Sequence, residues 1–99
     1  MKSKRSKACD ISQKVKLAVW ERDNQRCIFC GSHNAMPNAH IISRAKGGLG
    51  VEKNIVTLCA HCHDKMDHST LRSTWIEIAK THIKNIYGEF DESELIYHK

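Results

Sequence analysis

The stretch AHIISRAKGGLGVEKNIVTLCAHCH, residues 39–63, decides the fold. Adjacent isoleucines give residues 39–44 strand character, and Lys46-Gly47-Gly48-Leu49-Gly50 reads as a flexible turn. Asn54-Ile55-Val56-Thr57-Leu58 reads as a second short strand, so the two predict a β-hairpin with a long loop. Cys59-Ala60-His61-Cys62-His63 follows directly, and the residues through about His68 suit a short helix. Strand, strand, helix makes this an α+β chain.

Moving towards the N-terminus, residues 24–38 are rich in turn formers and hold Cys27-Ile28-Phe29-Cys30-Gly31, where glycine lets the backbone bend after the second sulfur. Cys27-x-x-Cys30 and Cys59-x-x-Cys62 are separated by 28 residues, and each two-residue gap lets both sulfurs of a pair face one tetrahedral ion. Zinc is the expected occupant, because four thiolates close its coordination sphere and leave no position for a substrate. Such an ion stabilises and does not catalyse. A thioredoxin-like redox pair is the competing reading of one CxxC, but two pairs without a surrounding βαβ pattern argue against it. His61, inside the second knuckle, reads as an exposed spacer, whereas His63 is free for another role. Cys9 lies outside the pattern and reads as a free thiol in a mobile tail.

Further out, Ile11 and Ser12 resemble a staple residue and an N-cap ahead of an amphipathic helix over 13–23, with Val15, Ala18, Val19 and Arg22 on one side. From Thr70 to Tyr87, Leu71, Trp75, Ile78, Ala79, Ile83 and Ile86 recur at helical spacing, and Gly88 is a plausible C-cap. Trp20, Trp75 and the isoleucines of that helix read as core. The last eleven residues suit a small docked turn or strand, and residues 1–10 read as a disordered arm before a single domain over 11–99.

Composition narrows the class. A chain of 99 residues buries too little apolar surface to be comfortably stable without an internal staple, and five cysteines without an export signal point to a metal as that staple. The lack of an apolar run of membrane-spanning length predicts a soluble, cytoplasmic protein. The net charge of +5 is concentrated at one end. Lys2, Lys4, Arg5, Lys7, Lys14 and Lys16 face only Asp10 within residues 2–16, while the ten basic and ten acidic residues that follow cancel. A basic arm on a neutral body suits a polyanion such as DNA, with Lys2, Lys4, Arg5 and Lys7 as phosphate contacts; its plain alternative is a solubilising tail.

His40, Asn54 and His63, read with the knuckles, carry a resemblance to the HNH nuclease family: histidine, glycine-rich turn, asparagine, then Leu-Cys-x-x-Cys-His. It covers about residues 18–68, including Val19-Trp20-Glu21-Arg22-Asp23. The resemblance implies a ββα-metal fold that clamps a catalytic divalent ion, magnesium, manganese or similar, apart from the structural zinc. It implies His40 as the general base that activates water, Asn54 as a brace of the hairpin loop, and His63 as a ligand of the catalytic ion. Alone, a strand histidine is more often an ordinary surface or core residue. Imidazole nevertheless titrates where a base is useful at cellular pH.

This chain departs from the pattern at Ala39, where many relatives place aspartate or histidine as a further ligand. Asp67, four residues after His63 and so on the same helical face, is the expected substitute, with His68 beside it. Arg44 and Lys46 flank the glycine turn and are candidate phosphate contacts, or else solvated turn charges. The leading expectation is a DNA endonuclease, and a stand-alone domain of this size resembles many phage-encoded ones. The competing expectation is a non-catalytic zinc module that binds nucleic acid. A redox or zinc-storage role leaves His40, Asn54 and the basic arm unexplained. A homodimer is compatible with the sequence, since one active centre cuts one strand.

Overall fold

A computed structural model describes residues 3–98, so Lys2 lies outside the described residues. Helix α2 covers Gln13–Arg22 and begins as the sequence leads one to expect: the Ser12 side chain accepts a hydrogen bond from the Val15 amide. Strands β1 (Met36–His40) and β2 (Ile55–Leu58) pair antiparallel, with Ala39 opposite Val56 and His40 opposite Ile55. Between Met36 and Ala39 the register is irregular, where Pro37 has no N–H to give to the ladder. Helix α3 (Ala60–His68) follows β2 directly, and α4 (Arg72–Tyr87) packs against it and ends at Gly88, whose φ of 83° suits glycine.

The first strand is displaced from the expected residues 39–44. It ends at His40 because the chain beyond finds other partners. The Asn54 side chain accepts from the Ile42 amide at 2.8 Å and donates to the Ile42 carbonyl at 3.1 Å, occupying both backbone groups that a neighbouring strand would need. Gly48 packs so closely on this bend that a Cβ there would lie 1.7 Å from the Ile42 carbonyl oxygen. The C-terminal segment forms a single 3-10 turn over Glu92–Leu95 and then a bridge from Ile96 to Gly48, closing over the same loop.

Residues 4–9 differ most from expectation. In place of a disordered arm, Lys4–Cys9 forms helix α1, capped by the Ser3 hydroxyl, and the Cys9 thiol is buried rather than held in a mobile tail. Order comes from long-range hydrogen bonds to the carbonyls at the helix end, which a count of apolar residues misses. The Gly50 amide donates to the Ala8 carbonyl, and the Arg44 guanidinium donates to the Cys9 carbonyl.

Ala39, Ile41, Val56, Leu58, Met66, Ala79 and Ile83 form the core cluster with Cys27, Cys59 and Cys62, and Ile55 and Val19 are buried as well. Phe29 stacks at a tilt on Trp75 with ring centroids 4.8 Å apart. The apolar stripe of α4 is only partly used: Ala79 and Ile83 are buried, whereas Leu71, Ile78 and Ile86 are exposed. Trp20 is half-buried beside the exposed Leu17 and Met36. These side chains correct the expectation of a wholly buried helical face, because α4 packs against α3 and the turn over Glu52–Asn54 and so hides only a narrow strip of its surface.

Candidate active site and metal centre

The cysteine knuckles converge. The Sγ atoms of Cys27, Cys30, Cys59 and Cys62 lie within 4.8 Å of one another, with Cys30 and Cys59 3.6 Å apart. A tetrahedron with metal–sulfur bonds of ~2.3 Å has sulfur–sulfur edges of about 3.8 Å, so the four residues fit one ion. Local bonding builds each knuckle. The Gly31 amide returns to the Cys27 carbonyl, the Ile28 amide donates to Thr57 of β2, and the Cys59 sulfur caps α3 by accepting from the Cys62 amide. Electrostatics points the same way. Burial pushes the Cys27 thiol up, but backbone donors from Cys30, Cys59 and Phe29 overcome this and hold it down to about 7. Burial and the neighbouring sulfurs push Cys62 well up. Crowded thiols that cannot all ionise together are a donor set that a divalent cation resolves. Among the described residues, this is the cluster of three or more potential ligands.

Around the hairpin, the β-pleat alternates. Ala39 is fully buried in the core, and His40 points to the opposite face, half-buried at the end of β1. Its Nε2 lies 2.9 Å from the Cys9 carbonyl oxygen. Since a carbonyl only accepts, Nε2 carries the hydrogen and Nδ1 is the lone-pair nitrogen of the neutral ring. Burial holds the His40 pKa below its usual value; the Cys9 carbonyl and Asp10 oppose this, while the Arg44 and His63 charges add to it.

Asn54 is fully buried at the end of the 3-10 turn Glu52–Asn54, immediately before β2. Besides its two bonds to Ile42, it donates to the Leu49 carbonyl at 2.9 Å, while its own backbone carbonyl accepts from the Ile41 amide. One side chain therefore ties both ends of the glycine loop beside His40. His63 projects from the first turn of α3, with Nε2 3.4 Å from the Asp67 carboxylate. His68 instead faces Asp64 at 3.9 Å, and His61 is exposed. Arg44 is held internally, donating to the Cys9 carbonyl at 2.8 Å and to Asp10 at 2.7 Å. Arg5 donates to the Ala45 carbonyl at 2.8 Å, whereas Lys4, Lys7 and Lys46 are exposed.

Two groups at the site are not readable from residue types. The Cys9 carbonyl is a backbone atom and leaves no signal in the sequence. Asn38 lines a surface groove with His63 and shares the face of His40; its place two residues before the histidine is the available clue.

A model of the HNH endonuclease family matches residues 27–74, a segment containing both knuckles, His40, Asn54, His63 and Asp67. That segment is an HNH endonuclease domain. No curated protein and no solved structure matches the chain significantly. The HNH assignment makes nuclease activity the indicated function and nucleic acid the implied substrate. No helix among the described residues is long and apolar enough to cross a membrane.

Proposed function

We propose that this HNH protein is a divalent-metal-dependent endonuclease that hydrolyses DNA phosphodiester bonds, with one structural zinc on Cys27, Cys30, Cys59 and Cys62. The observation that carries the reading is the state of His40: half-buried at the strand end, one nitrogen committed to a carbonyl and the other left as a base. In this reading Nδ1 takes the proton from the attacking water. Asn54 keeps the loop, and with it the ring, from rotating away. His63 and Asp67, 3.4 Å apart on one helical face, would hold the divalent ion. When bound, that ion supplies positive charge against the phosphate and the departing oxygen. Lys4, Lys7 and Lys46 would neutralise flanking phosphates. Reduced cysteines suit a cytoplasmic setting.

Burial of Ala39 favours a second reading, since a position that many relatives use for a metal ligand here faces the core. In that reading the domain binds nucleic acid without cutting it. The separating experiment incubates supercoiled plasmid with purified protein in magnesium, manganese, nickel or zinc, with binding measured in parallel. Metal-dependent nicking with 5′-phosphate and 3′-hydroxyl products supports the nuclease. Binding without cleavage under every metal supports the module.

A further inference from the structure

Arg72, in the first turn of α4, is half-buried and carries a guanidinium that no protein acceptor satisfies. Its Nε is shut off from solvent without a hydrogen bond, and no described residue pairs with the rest of the group. A buried charged donor in this state is costly, and folded proteins seldom keep one without a ligand or water to take it up. Arg72 lines an open cavity of about 430 Å³ together with Lys46, Thr70, Ser73, Glu77 and Lys80. Lys80 is already committed, lying 2.7 Å from Glu92 and 3.5 Å from Glu77, and this pairing also engages the acidic group of the wall. Lys46, exposed in the turn Arg44–Lys46, has no ion pair among the described residues. The cavity therefore offers two uncommitted cations and the hydroxyls of Thr70 and Ser73, and the start of α4 beside them has no side-chain cap.

We propose that this cavity is a subsite for a backbone phosphate of the nucleic acid, with Arg72 as the residue that grips it. A guanidinium fits two phosphate oxygens side by side, the Lys46 ammonium adds a point charge, and the two hydroxyls donate to what remains. The dipole at the uncapped start of α4 adds to the same field. The fold ties the subsite to the elements already described. Lys46 lies on the loop that follows His40, while Thr70 and Arg72 follow α3, which carries His63 and Asp67. Phosphate contacts of this kind fix how a strand lies on the protein without reading its bases. Nothing in its residue type marks Arg72 for this role; its lack of a partner does. The inference rests on nucleic acid as the ligand, and it holds for a cutting domain and a non-cutting one alike. Inorganic phosphate presents the same oxygens, and separate arms of the test tell the two sources apart.

The test uses the full-length chain with its thiol-bound metal and no added divalent ion, so that DNA stays whole. Anisotropy of a fluorescent duplex follows binding across a range of salt concentrations for wild type, Arg72→Ala, Arg72→Lys and, as a charge-matched control, Lys84→Ala near the other end of α4. Arg72→Ala should weaken binding roughly tenfold and reduce the slope of log affinity against log salt by about one, as one lost phosphate contact does. A merely structural role for Arg72 would not move that slope. Arg72→Lys should keep the slope but recover affinity only in part, because an ammonium lacks the fork. Lys84→Ala should leave the slope unchanged. In parallel, the Arg72 Nε–H signal of nitrogen-15-labelled protein, identified by its loss in Arg72→Lys, is followed while duplex or inorganic phosphate is added. The duplex should shift it to saturation, and inorganic phosphate far less. An unaltered slope in folded Arg72→Ala overturns the proposal. Saturation by inorganic phosphate with no response to the duplex also overturns it and makes the cavity a free-phosphate site. If Arg72→Ala does not fold, Lys46→Ala, on an exposed side chain, carries the slope measurement and wild type carries the signal. A wild type that binds no DNA overturns the nucleic-acid reading itself, whereas DNA binding with an unaltered slope overturns this subsite alone.

Discussion

Asp23 is a buried carboxylate with a full set of partners. Its oxygens accept from Arg22 at 2.8 and 2.9 Å, from His82 at 2.9 Å and from the Thr57 amide at 2.9 Å. Burial raises the carboxyl pKa, but hydrogen bonds from His82 and Arg22, the Arg22 charge and the Thr57 amide together lower it to about 2. A carboxylate whose folded value lies below its unfolded value stabilises fully above the unfolded value. That contribution is lost as pH falls through the folded one. The window therefore runs from about pH 4 down to about pH 2, and the contribution is about 2 kcal/mol at neutral pH. Asp23→Asn should cost about 3 kcal/mol, because it leaves the Arg22 guanidinium buried without its counter-charge. Urea unfolding at pH 7 and pH 3 checks both, with the difference between wild type and Asp23→Asn shrinking at the lower pH. His40 gives the second prediction at this scale. A base held below its usual value is unprotonated across neutral pH, so the acid limb of kcat/KM should lie below about 6.5. A limb centred above 7.5 in the pH–rate profile would contradict the assignment.

At the scale of the elements, the hairpin loop is held by one amide. Asn54→Ala would leave the Ile42 amide, the Ile42 carbonyl and the Leu49 carbonyl without partners, at about 1–3 kcal/mol for a buried group so orphaned. Thermal melts should show a clear loss of stability. Nicking should also fall by more than the loss of folded protein explains, because the loop carries the surroundings of His40. What is legible in the sequence at this scale follows from locality. The α2 cap at Ser12, β2, the short helix after the second knuckle and the Gly88 terminus are all specified by neighbouring residues, and all are found. The first strand lies earlier than the sequence suggests because the Ile41-Ile42 pair signals β propensity, whereas Ile42 is bound by a side chain twelve residues away. Helix α1 is illegible for the same reason, since what orders it is Gly50 and Arg44, about 40 residues downstream.

For the whole molecule, the four-cysteine cluster links segments that the small core alone would hold weakly. Cys27 and Cys30 join the loop after α2 to β2, and Cys59 and Cys62 join β2 to α3. With one ion bound at an affinity typical for such sites, of order 10 kcal/mol, most of the folding free energy would depend on it. A strong chelator, or Cys59→Ser, should therefore abolish cooperative unfolding in calorimetry; an unchanged melt would place stability elsewhere. The knuckles are readable from spacing alone, because two CxxC pairs require only that the chain fold back once. The roles of His40 and His63 require the resemblance as well, since a lone histidine carries no such geometric demand. Nicking of supercoiled plasmid, with divalent metal, by wild type and by His40→Ala prepared side by side tests the proposed mechanism most directly. Wild type should convert plasmid to the open circle, and His40→Ala should do so at least about a hundredfold more slowly, with equal thiol-bound metal, melting temperature and DNA affinity. Equal cutting by the two proteins would contradict it.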